Sequence, residues 1–198
     1  MAARGVRPRT IQAWIELRSE DPEATSAADV AARTLAAGRG LQRLRRLRLF
    51  ELSGPLPARK AIEGLLHRSI QFYNPHKERC WVRTAVRDPV PVAAGEVAIL
   101  VADREGERRV AAERWWEHQT GERIEVREGT VWVAAFAGGE PLARGGALAV
   151  ARDRHSGLLC NPNAQWHRVA AGAIPLPWLS AGPEAAPLAA AAHEGDTA

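Results

Sequence analysis

Residues Arg59–Arg83, RKAIEGLLHRSIQFYNPHKERCWVR, decide how the rest of the chain is read. Ala61, Ile62, Leu65, Leu66 and Ser69, with Ala58 just ahead, recur at the three- and four-residue spacing of one buried helix face. Pro75 is expected to stop that helix, because a proline drives the residue before it, Asn74, out of the helical region. Cys80, Trp81 and Val82 then open a strand. The same order returns in Gly145–Val169, GGALAVARDRHSGLLCNPNAQWHRV, and in both stretches a valine stands eight residues after the asparagine of an Asn-Pro pair: Val82 after Asn74, Val169 after Asn161. Asn74, Pro75, Asn161 and Pro162 are therefore taken as structural corners.

Working outward, each stretch closes a longer repeat. Thr10–Leu17 alternates Ile11, Ala13, Ile15 and Leu17 and predicts a half-buried strand. Asp21-Pro22 opens a helix, a capping carboxylate before a proline at the first helical position, which Gly38 or Gly40 ends. Leu41–Leu52, LQRLRRLRLFEL, predicts two short strands joined at a tight turn. Arg46, Arg48, Phe50 and Leu52 lie on one face there, and Leu47, Leu49 and Glu51 on the other. After a linker at 85–95 the pattern restarts: a strand at Val97–Ala102, a helix at Gly106–Gln119 closed by Gly121, and a hairpin turning at Glu128-Gly129. Glu140-Pro141-Leu142 matches Gly54-Pro55-Leu56 at an offset of 86 residues.

The predicted fold class is α+β: two ferredoxin-like repeats, strand-helix-strand-strand-helix-strand, at 10–84 and 96–170, forming an internal pseudo-dimer. Residues 1–9 are expected to be a flexible lead, and 171–198 a disordered tail docked locally by Trp178. Trp81, Trp115, Trp116, Trp132 and Trp166 are expected as core or interface anchors.

The 198 residues are 46% hydrophobic and 25% charged, an ordinary globular composition with no apolar run of membrane-spanning length, which points to a cytoplasmic protein. Residues 1–86 carry 16 basic and 8 acidic side chains, whereas the remainder carries 11 and 15. A basic half joined to an acidic half can satisfy its own other half as readily as a foreign polyanion. Cys80 and Cys160 read as buried thiols. The six histidines are scattered without metal-ligand spacing. No phosphate-binding glycine loop or nucleophile motif is present, so no catalytic residue, cofactor or metal is assigned. The pointed feature is the arginine run Arg43, Arg45, Arg46 and Arg48, suited either to carboxylates of a protein or to a nucleic-acid backbone.

Asp21-Pro22, Arg48-Leu49-Phe50-Glu51-Leu52, Asn74-Pro75, Glu78 and Val82 fall in the order found in the PurS small subunit of phosphoribosylformylglycinamidine synthase, and the first half resembles that family. The second half resembles a more diverged copy through Val126-Arg127-Glu128-Gly129 and Leu159-Cys160-Asn161-Pro162. Leu47, Thr130 and Gln165 depart from the pattern, standing for a turn glycine, a basic residue and the glutamate seen at Glu78. The resemblance implies a non-catalytic accessory subunit of de novo purine biosynthesis. It would bridge the glutaminase and synthetase subunits of an ATP- and glutamine-dependent ligase, the tandem copy replacing the usual homodimer, with Arg46, Arg48 and Glu51 as the expected partner-binding residues; the opposed charges of the halves also allow self-association. The competing readings are a nucleic-acid-binding module built on the Arg43–Arg48 strand and a divergent small enzyme.

Overall fold

A computed structural model describes residues 9–105, 107–153 and 155–182. Six strands form one antiparallel sheet in the order β3-β1-β2-β5-β4-β6: β1 Arg9–Leu17, β2 Leu41–Gly54, β3 Glu78–Arg83, β4 Glu96–Asp103, β5 Glu125–Phe136 and β6 Gln165–Ala171. The helices are α1 Pro22–Thr34, α2 Arg59–His67, α3 Val110–Thr120 and α4 Pro141–Ala149. Each half therefore runs strand-helix-strand-helix-strand. No described helix is long and apolar enough to cross a membrane.

The period-2 alternation of the strands sorts side chains onto two faces. Ile11, Ala13 and Ile15 of β1, with Phe50 and Leu52 of β2, share a buried cluster with α2 and with Ala112 and Trp116 of α3. Ala24, Ala31 and Leu35, from α1 and its end, share another with Val97, Ile99, Trp132, Leu148 and Ala149 of the second half. The first helices, α1 on β2 and α3 on β5, thus join clusters that span both halves. The opposite face buries Trp14, Leu47, Leu49, Leu100, Val131 and Val133 beneath Ile174, Trp178 and Leu179.

Several expectations are corrected. Two short strands were predicted in each copy where the structure has a single one. Alternation continues unbroken through Leu47, and Gly129 lies in β5 without a positive φ. A Cβ at Gly129 would come within 3.0 Å of Leu100 Cδ1 and 3.2 Å of Leu179 Cδ1, so the glycine admits close packing and does not turn the chain. Pro75 does not stop α2, which ends at His67; the chain turns at Ser69, whose carbonyl accepts from the Phe72 and Tyr73 amides. Pro55 precedes α2 in a turn while Pro141 is the first residue of α4, so that sequence match pairs non-equivalent positions. Arg9 belongs to β1 and not to the lead. Residues 172–182 pack on the sheet, with Trp178 stacked on Trp14 at a ring distance of 6.2 Å. The rest of the expected tail lies outside the described residues, as do residues 1–8.

Candidate functional site

The Asn-Pro corners are built alike. The Asn74 carbonyl accepts from the Lys77 and Glu78 amides, its side-chain oxygen accepts from the His76 amide at 3.0 Å, and its amide donates to Glu78 Oε2 at 2.6 Å. At the second corner the Asn161 carbonyl accepts from the Ala164 and Gln165 amides, its side-chain oxygen from the Asn163 amide at 3.0 Å, and its amide donates to Gln165 Oε1 at 3.1 Å. Asparagine fits because its short side chain closes an Asx turn, and proline fits because its missing N–H is not needed there. Gln165 keeps the acceptor that Glu78 supplies. Both corners start a strand.

With β3 laid on β6 through the corners, the ladders fix the other equivalences. The pair Gln12–Arg83 falls on Ala98–Ala170, and Ile15–Arg48 falls on Val101–Thr130. Arg48 also pairs with Thr130 directly across the β2–β5 junction. A residue paired with its own counterpart lies on the pseudo-two-fold axis, so the axis passes through Arg48 and Thr130.

Arg48 ties that axis together. Its Nη2 donates to Glu78 Oε1 at 2.8 Å and to the Phe72 carbonyl at 2.9 Å, and its Nη1 to Glu128 Oε1 of the other half at 3.3 Å. Arg109 holds the second oxygen of Glu128 at 3.1 Å. Arg46, on the same face, holds Asp21 at 3.0 Å and Glu23 at 2.7 Å. On the reverse face Arg43 and Arg45 meet Glu96 at 2.6 and 3.0 Å, and Arg45 also meets Glu16 at 2.9 Å. Burial opposes ionisation of Glu96, yet the Ala93 amide with Arg43 and Arg45 holds its carboxyl below the ordinary value. All four arginines of the run therefore meet carboxylates of this chain, several of them across the junction of the basic and acidic halves.

Glu51 sits on the reverse face, 1% exposed. One oxygen accepts from the Trp178 amide at 2.6 Å and Gln12 Nε2 at 2.8 Å; the other accepts from the Ser180 amide and hydroxyl, both at 2.7 Å. Buried Arg83 completes the arrangement by donating to the Ile174, Pro175 and Val86 carbonyls and to Gln12 Oε1. Desolvation lowers its pKa, with Asp88 and Glu51 working the other way. Gln12, Glu51 and Arg83 together clamp the segment 174–180 by its backbone. Their second-half counterparts are Ala98, Val133 and Ala170, so the clamp exists on one side of the axis. Glu51, expected among the partner-binding residues, is instead buried against this chain's own 178–180 segment, and Gln12 and Arg83 were not singled out from the sequence. The available signal was polar residues at strand positions facing a Trp-rich surface.

The thiols are shielded. Burial, with Glu63 and Glu78 nearby, pushes the Cys80 thiol up to about 12, and burial also raises Cys160. Among the described residues no group of three His, Cys, Asp or Glu side chains could hold a metal ion. A groove of about 720 Å³ lies between α2 and the end of α3, lined by Pro55, Ala61, Leu65, His67 and Thr120. A smaller cavity of about 290 Å³ lies beside the first half of β2, lined by Glu16, Asp21, Ala24, Leu44, Arg45 and Arg46. No family model, curated protein or solved structure matches the chain.

Proposed function

We propose that the chain is a non-catalytic accessory subunit of the PurS kind, binding the glutaminase and synthetase subunits of phosphoribosylformylglycinamidine synthase. We take its halves to be diverged copies of one ferredoxin-like unit, β2 and β5 each standing for two strands run together. One observation carries the reading: the Asn-Pro corners, central to the PurS-like resemblance, close with the same hydrogen bonds in both halves. The central charged side chains are spent on one another, which suits a scaffold whose work is to present a surface. Arg46 and Arg48, about a third exposed, lie at the part of that surface where a partner would meet the chain.

The nucleic-acid reading is weaker, because the arginines it needs already neutralise carboxylates of this chain. Mixing the purified chain with a glutaminase and a synthetase subunit of this synthase tests the proposal by size-exclusion chromatography. A three-way complex, and amidine formation from formylglycinamide ribonucleotide, ATP and glutamine only when the chain is present, is expected. Failure of any complex to form, with recovery of nuclease-sensitive nucleic acid from lysate, overturns it.

A further inference from the structure

The two halves finish one sheet edge differently. In β5 the residues of even number turn their backbone groups away from β2, because the rungs bonded to β2 fall on odd residues such as Arg127, opposite Glu51. The chain covers that side of β5 itself. The Arg109 amide donates to the Val126 carbonyl at 2.7 Å, the Glu128 amide donates to the Glu107 carbonyl at 2.6 Å, and Arg108 bridges Arg127. Glu107–Arg109 is thus a short extra strand.

The counterparts of Val126, Arg127 and Glu128 are Leu44, Arg45 and Arg46. Here β1 pairs with β2 only from Arg48 onward, and no described backbone group bonds the outward amide of Arg46 or the outward carbonyl of Leu44. The cause is visible in the sequence. Asp21 caps α1, accepting from the Glu23 and Ala24 amides, and Pro22 is its first residue. Pro22 and Glu23, the counterparts of Arg108 and Arg109, are therefore wound into the helix and cannot lie along the strand. A cavity of about 290 Å³ remains between that helical turn and the β2 edge.

We propose that this edge receives an extended segment of a partner protein, added antiparallel to β2 at Leu44–Arg46 as Glu107–Arg109 is added to β5. Its main chain supplies the amide that Leu44 lacks and the carbonyl that Arg46 lacks. Its charge follows from a reversal between the copies. In the second half Arg109 meets Glu128; in the first, Arg46 replaces that glutamate and Glu23 replaces that arginine. Glu23 is 60% exposed, so its hold on Arg46 is open to exchange. The incoming segment carries a carboxylate at the residue matching Arg109 and takes the place of Glu23. The inference rests on reading the chain as a protein-binding subunit, and it names the surface used.

The test uses the full chain, with amide exchange and chemical shifts followed by NMR. The probe is an acetylated and amidated peptide of residues 104–110 in which Arg109 is changed to glutamate. Its control is the same peptide N-methylated at that glutamate, which keeps the side chain and removes the N–H meant for Leu44. In the free protein the Arg46 amide should exchange at least about tenfold faster than the Glu128 amide. The probe should slow it and shift Leu44 and Arg46 saturably, while the control does neither. Arg46 protection equal to that of Glu128 in dilute protein would mean that the chain covers its own edge. Protection growing with protein concentration would mean that a second copy covers it. Either result overturns the proposal, as does equal binding of the two peptides or binding of neither. A synthase complex that forms while the probe fails removes the edge and leaves the accessory role; the opposite pair of results does the reverse.

Discussion

At the scale of single residues, the chain puts its most costly polar groups where they hold other segments. Glu51 is the clearest case, an ionisable side chain inside the sheet with every bond directed at Gln12, the Trp178 amide, or the amide and hydroxyl of Ser180. Removing a buried acceptor costs more than the bonds it made, because the donors left behind have no water to turn to. Glu51→Ala should therefore lower stability by about 3 kcal/mol in chemical denaturation. It should also free Trp178 from Trp14, seen as a red shift in tryptophan fluorescence before global unfolding. Unchanged fluorescence and stability would show that the apolar contacts of Trp178 and Leu179 hold the segment alone. The arginine run was legible in the sequence down to its faces, since period 2 alone places Arg46 and Arg48 together and Arg45 behind them. The identity of the carboxylates was not, because Glu96 and Glu128 reach the run through a strand order that no local pattern encodes.

At the scale of elements, the corners carry the repeat more faithfully than the helices do. The helix starts show the divergence: α1 has both a carboxylate cap and a proline, whereas α3 begins after Arg109 with no side-chain cap. Asn74→Ala and Asn161→Ala should each cost about 1 kcal/mol, the worth of a lost local side-chain-to-backbone bond in a turn. Urea titration of the two single variants and the double variant checks this. The sites lie in different halves, so the two losses should add. The strands β1, β3, β4 and β6 were readable from alternation or corner. The breaks expected within β2 and β5 were not real, since a tight turn needs residues in turn conformations and Leu47 and Gly129 are both held in the ladder. Docking through Trp178 was expected, but the order of the segment around it was hidden, because its seat on the sheet draws on Trp14, Leu47 and Leu49, more than a hundred positions earlier.

At the scale of the whole molecule, each first helix shares a buried cluster with residues of the other half, so the two cores are joined across the junction. Residues 1–90 and 91–198 produced separately should each remain poorly folded, and mixing them should restore the far-ultraviolet circular dichroism of the intact chain. Independent folding of either piece would show that the shared clusters are dispensable. The charge imbalance between the halves, plain in the composition, is answered by ion pairs such as Arg43–Glu96 and Arg48–Glu128 that should draw the pieces together. The rung at the centre bears on what a single chain permits. In a dimer of identical chains a residue on the axis faces itself, so an arginine there would set two like charges on one rung. Arg48 faces Thr130 instead. If the halves are copies as proposed, a single chain admits on its central rung one charge, answered by Glu78 and Glu128, where a symmetric pair would have to seat two.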